Sequence, residues 1–207
     1  MRAAPSDDGR TTIAWMSASM CVALALVLLV GVEADRGKLG VALRVTARWS
    51  FILFWLGYTG RSLASLFGSR FQALAQHARD FGLAFASAHS VHVGLVAWLL
   101  YSSTEPILNA PLIFFGIAVF WVYLLAILSI RRVSAMLPSK MLRILRIVGV
   151  EYIALAFLLD FFKSPFKGGI LNLIAYLPFQ LLAVLGLLLR LTAGLRRLTL
   201  PRRFVAT

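Results

Sequence analysis

Two histidines three residues apart, His89 and His92, interrupt an otherwise apolar run and are the side chains of this sequence best suited to hold a metal or a cofactor. Neutral imidazole is the commonest metal ligand and an axial ligand of haem. On a helix, a spacing of three puts both rings on broadly the same side. The pair would therefore chelate one small metal ion, or offer a ring to one face of a haem. It would not clamp a haem from both faces. In the cofactor-free alternative, both rings are neutral and hydrogen-bond to neighbouring helices.

Three further ionisable groups fall in a later apolar run: Arg146, Glu151 and Asp160. Ionisable groups in lipid are expensive and mark the places where function is sought first. Glu151 is about as far into its run as the histidines are into theirs. A carboxylate at that depth must be protonated or paired. A contact between Glu151 and one of the histidines is therefore expected, as a proton path or as packing. Arg146 and Asp160 are 14 residues apart, which on a helix returns to within about 40° of one face. They mark the two ends of one stripe, as an arginine reaching for one interface and an aspartate at the other.

Other chemistries lack their residues. Cys21 is the one cysteine, so neither an intrachain disulfide nor a CxxC pair is available, and it reads as a small apolar residue. There is no phosphate-cradling glycine loop, no HExxH and no GxSxG. A nicotinamide or flavin cofactor would need a domain for which this chain has no room.

The elements that must position these residues are transmembrane helices. Of the 207 residues, 60% are hydrophobic and 14% charged, against about a quarter charged in soluble domains. The apolar residues are blocked into runs near the ~20 residues needed to cross a bilayer. The expected fold is all-α: a polytopic membrane bundle of six transmembrane helices over 13–191, with spans near 13–32, 45–67, 81–101, 111–130, 142–162 and 170–189. The first run is too long for a signal peptide and reads as a retained helix. Residues 1–12 read as a disordered tail and 192–207 as a basic one. Pro178 predicts a kink in the sixth span.

The net charge of +13 is explained by topology rather than by nucleic acid, because the basic residues sit between apolar runs. With six spans both termini share a side, and most of the 21 Lys and Arg fall on it, so both termini are expected in the cytoplasm. Trp49, Trp98 and Tyr101 fall near span ends, where interfacial aromatics belong. Arginine outnumbers lysine and alanine is abundant, which points to a GC-rich bacterium and its inner membrane. The expected partner is the lipid bilayer.

Over roughly residues 40 to 195, the order of features resembles the ferric reductase-like transmembrane domain, and within it the haem-binding membrane subunit of the periplasmic methionine sulfoxide reductase system. The resemblance is carried by Ala47, Arg48 and Trp49 at the start of span two, and by Arg61, Ser62, Leu63 and Ala64 at its close. Arg79 to Leu83, with Gly82, opens span three, and His92 follows at the position of an axial haem ligand. Gly116, Ile117, Trp121 and Val122 match span four, and Lys140 to Tyr152 match the basic linker and the start of span five. The resemblance implies a haem b, electron transfer across the membrane, and a redox partner protein or quinone. His92 would be the axial ligand, with His89 as the second choice. The family's two span-five histidines are missing: Arg146 stands near the first position and Asp160 near the second. His77, earlier than His92, falls in a loop. The alternative is a cofactor-free scaffold, assembly factor or small transporter that uses Glu151, His89 and His92.

Overall fold

In the computed structural model the described residues are 8–31, 36–102, 109–162 and 169–199. Among them there is no strand. Helix α1 covers Asp8–Val30, α2 Arg36–Phe67, α3 Gln72–Gln76, α4 Ala78–Tyr101, α5 Ala110–Ile127, α6 Arg131–Ala135, α7 Ser139–Phe162 and α8 Gly169–Thr199. A 3-10 turn at Gly68–Phe71 joins α2 to α3.

A long helix stands at each of the expected runs, with different ends. α1 already begins at Asp8, so residues 8–12 are helical rather than a tail. α8 continues through Pro178 to Thr199, well past the expected end of the sixth span. The tail stretches 1–7 and 200–207 lie outside the described residues. α5 starts where Asn109 caps it, its Oδ1 accepting from the Leu112 N–H at 2.9 Å, with proline in the first turn. Gly31 and Gly68 close α1 and α2 with positive φ, which only glycine adopts without a Cβ penalty.

Among the described residues, five helices are long and apolar enough to cross a membrane: those at Thr11–Val30, Lys38–Gln76, Ala78–Tyr101, Ala110–Ile127 and Leu173–Arg196. The sixth long helix, α7, is set apart by Lys140, Arg143, Arg146, Glu151 and Asp160 along its 24 residues. It is as long as α4 and packs between α5 and α8.

α2 is the centre of the bundle and packs on α1, α4 and α8. Three of its buried polar groups are satisfied within the helix. Thr46, Ser50 and Thr59 are fully buried, and each hydroxyl donates to the carbonyl four residues back, those of Ala42, Thr46 and Trp55. The core joins Phe51 and Phe54 of α2 to Phe85 of α4 and to Phe157 and Phe161 of α7. Trp98 and Tyr101 are exposed. Trp49 is not: its Nε1 donates to the Ser19 carbonyl at 3.1 Å and ties α2 to α1.

One end of the bundle is defined by polar contacts. The Thr12 hydroxyl donates to Asp80 at 2.7 Å, which sets the starts of α1 and α4 side by side. Arg79 and Arg146 donate to the Ser129 and Leu128 carbonyls just past α5, and Arg196 of α8 donates to Ser65 near the end of α2. Cations at unsatisfied C-terminal carbonyls meet the negative ends of the helix dipoles. The starts of α1, α4 and α7 and the ends of α2, α5 and α8 therefore share one end, so α4 and α7 run in the same direction.

α5 and α7 approach closely at Gly149. A Cβ there would stand 2.6 Å from Trp121 Cε3 and 3.1 Å from Leu125 Cδ1. Gly149→Ala is expected to destabilise the bundle by about 1–3 kcal/mol through overpacking, read as a lower thermal midpoint in detergent. An equal change at Gly94, where a Cβ meets nothing within 4 Å, serves as the reference. A Gly149→Ala midpoint no lower than that of Gly94→Ala would refute the close-packing account.

Candidate functional site

The small residues that let these helices approach also leave a space between them. Ala47 of α2, Ala97 of α4, Gly116 and Ala118 of α5 and Ala156 of α7 face a cavity of about 580 Å³ that their side chains are too short to fill. Its remaining wall is mostly apolar, with Phe85, Val93, Val96, Phe115, Val119, Ile153 and Phe157. Its polar groups are few: His89, His92, Asn109 and Asp160. This volume lies within the usual range of ligand sites, and an apolar wall with a few convergent polar groups is their usual make-up.

Both histidines occupy the α4 wall. Their rings stack with centroids 5.3 Å apart and planes 25° apart. His92 Nδ1 lies 3.1 Å from Thr46 Oγ1. His89 packs on Phe85 at 5.2 Å and on Phe157 at 6.1 Å, and its buried Nδ1 has no hydrogen-bond partner. The bland expectation, two histidines each bonded to a neighbouring helix, therefore holds for His92 and fails for His89. A buried ring nitrogen without a partner is uncommon, and here it is closed off from the cavity as well as from solvent. Among the described residues, no three His, Cys, Asp or Glu side chains gather closely enough to hold a metal ion.

The span-five residues separate. Phe157 meets His89, and α4 and α7 run in the same direction. One turn further along each helix are His92 and Asp160, so Asp160 stands at the level of His92 and both line the cavity. Glu151 is six residues before Phe157, which at 1.5 Å per residue is about 9 Å nearer the basic end. The expected contact between Glu151 and a histidine is not formed. α7 is displaced along the bundle relative to α4, so equal counts into the two apolar runs do not mean equal depth. Glu151 instead accepts from Tyr58 Oη at 2.8 Å and pairs with Arg190 Nη2 at 2.6 Å, while the Arg190 guanidinium lies over the Tyr58 ring at 4.5 Å. Arg146 is off the cavity altogether, donating to the Leu128 carbonyl. The stripe from Arg146 to Asp160 thus serves two places, one at the end of α5 and one at the cavity.

Three participants were not anticipated. Thr46 carries no sequence signal beyond being polar in an apolar stretch. Arg190 falls one residue beyond the expected end of span six, and Tyr58 reads as one more aromatic residue in span two. Arg48, at the start of span two, lies over the rings of Tyr176 and Phe179 at 5.1 and 5.3 Å, with Nη2 buried and without a hydrogen bond. Compared with protein-family models, with curated proteins and with solved structures, the chain matches none.

Proposed function

We propose that this chain is a six-span bacterial inner-membrane protein of ferric reductase-like type, and that it holds one b-type haem in the cavity with His92 as the protein ligand. The observation that carries the reading is the position of His92. Its ring lines a mostly apolar cavity of about 580 Å³, and its Nδ1 is occupied by Thr46, which leaves Nε2 to serve as ligand. The residues suit a haem bound through one nitrogen. They do not suit a haem held between two, because Asp160 stands where the α7 wall would have to supply the second nitrogen. A further haem nearer the basic end is disfavoured too, since Arg146 is committed to the end of α5.

When bound, the haem supplies one-electron chemistry by cycling between its ferric and ferrous forms. The chain's own residues do the rest. His92 binds and orients, the phenylalanine, valine and alanine walls exclude water, and Asp160 brings a carboxylate to the same level. A donor such as a quinone or flavoprotein and an acceptor across the membrane would complete the path. The basic end faces the cytoplasm by the positive-inside rule, with both termini there and α7 counted as the sixth crossing. The rival reading, a cofactor-free scaffold or small transporter built on Glu151 and the histidines, loses support from the separation of these groups.

The test is the absorption spectrum of full-length protein purified in detergent from haem-replete cells. One haem per chain, with a Soret band that shifts on reduction by dithionite, is the expected result. A colourless preparation that also fails to take up added haemin would overturn the proposal in favour of the cofactor-free reading.

A further inference from the structure

The Thr46 hydroxyl has one proton, and its neighbours determine where it goes. Oγ1 lies 2.8 Å from the Ala42 carbonyl oxygen and 3.2 Å from that of Leu43, both pure acceptors. With its proton given to the backbone, Oγ1 can only accept from His92 Nδ1 at 3.1 Å. A neutral imidazole has one N–H, so a proton on Nδ1 leaves the lone pair on Nε2. Thr46 is fully buried, so no water competes for its hydroxyl. His89 lacks any such anchor, since its Nδ1 has no partner.

We propose that Thr46 is a positioning residue that fixes His92 as the Nδ1–H tautomer and so presents Nε2 to the cavity as an electron-pair donor. The site then selects its ligand by chemical class. It takes an electron-pair acceptor, such as a metal centre carried by an apolar ring, or a hydrogen-bond donor. It disfavours a ligand whose polar atom is a bare carbonyl or carboxylate oxygen, because two lone pairs would face each other. It also explains why, of two stacked histidines, only His92 is ready to ligate. The identity of the acceptor as haem iron rests on the function proposed above, whereas the tautomer does not.

The experiment has two arms. In the first, full-length protein labelled with 15N-histidine and free of cofactor is placed in detergent micelles, and two-bond proton–nitrogen correlations report which ring nitrogen of His92 carries the proton. The Nδ1–H form is expected in the wild type and in Thr46→Ser, and its dominance is lost in Thr46→Val. In the second arm, haemin is titrated into the same proteins. Thr46→Val is expected to bind roughly ten- to a hundredfold more weakly, the usual effect of removing a group that orients a ligating histidine, with Thr46→Ser close to the wild type. A wild-type His92 found as the Nε2–H form overturns the proposal, whether or not the variants fold. So does a Thr46→Val protein with unchanged tautomer and affinity. A wild type that shows the Nδ1–H form but takes up no haemin overturns the haem reading and supports the tautomer assignment.

Discussion

His92→Ala is expected to remove the Soret band of the purified protein, with haem occupancy falling by more than about tenfold, while His89→Ala keeps it. The two histidines are one turn apart on the same wall, so the contrast is a sharp test of which nitrogen is presented. His92 has its Nδ1 tied to Thr46, whereas His89 is held by stacking on His92, Phe85 and Phe157. Loss of His89 leaves a smaller side chain in the wall but no missing ligand. Loss of His92 removes the member of the pair whose Nδ1 is anchored. The wild-type band is expected to be that of a haem with a single protein nitrogen, because Asp160 and not a histidine lines the α7 wall at that level. The reverse outcome, with the band lost in His89→Ala and kept in His92→Ala, would reassign the ligand to His89. Spectra of both variants, compared at equal protein concentration and with matched circular dichroism, decide between them.

Glu151→Leu and Arg190→Leu are each expected to destabilise the bundle, and the double variant to be more stable than either single. Glu151 accepts from Tyr58 and Arg190 together, and Arg190 lies over Tyr58. Removing either member leaves the other charge in or near the apolar zone without its counter-ion. A lone charge at the centre of a helix span costs about 2.5–3.5 kcal/mol on insertion scales. Both side chains are partly exposed, at 40% for Glu151 and 31% for Arg190, so a cost of about 1–3 kcal/mol per single variant is the better expectation. Replacing both by leucine restores neutrality and adds apolar surface. Unfolding in a mixed-micelle denaturant titration measures the cycle. Strict additivity of the two losses would mean that the pair is not coupled.

The sequence made the helices legible because hydropathy responds to long runs, and each run contains a helix. It did not set helix ends or relative heights. Asp8 to Thr12 and Thr192 to Thr199 are helical although their polar residues read as tails, because contacts such as Thr12 with Asp80 and Arg196 with Ser65 continue the packing past the apolar runs. His92 stood out because an imidazole among valines and leucines is visible on inspection. Its orientation was not visible, because that depends on Thr46, 46 residues away in another helix. The error over Glu151 has the same origin. The start of an apolar run does not fix depth, and the sliding of α7 against α4 is a property of packing that no single run encodes. Asp160 stands out in the sequence as a charge in an apolar run, but only packing brings it to the cavity wall with His92.

α7 bears on how the chain is made as well as on how it is held. A helix carrying Arg146, Glu151 and Asp160 is a poor candidate to leave the insertion machinery for lipid alone. Its two most costly groups acquire partners from neighbours synthesised at different times. Arg146 finds the Leu128 carbonyl on the segment made just before it, whereas Glu151 must wait for Arg190, 39 residues later. α7 therefore gains the counter-ion of Glu151 only after α8 has been made. The order of synthesis makes the Glu151–Arg190 pair a late-forming contact of α7.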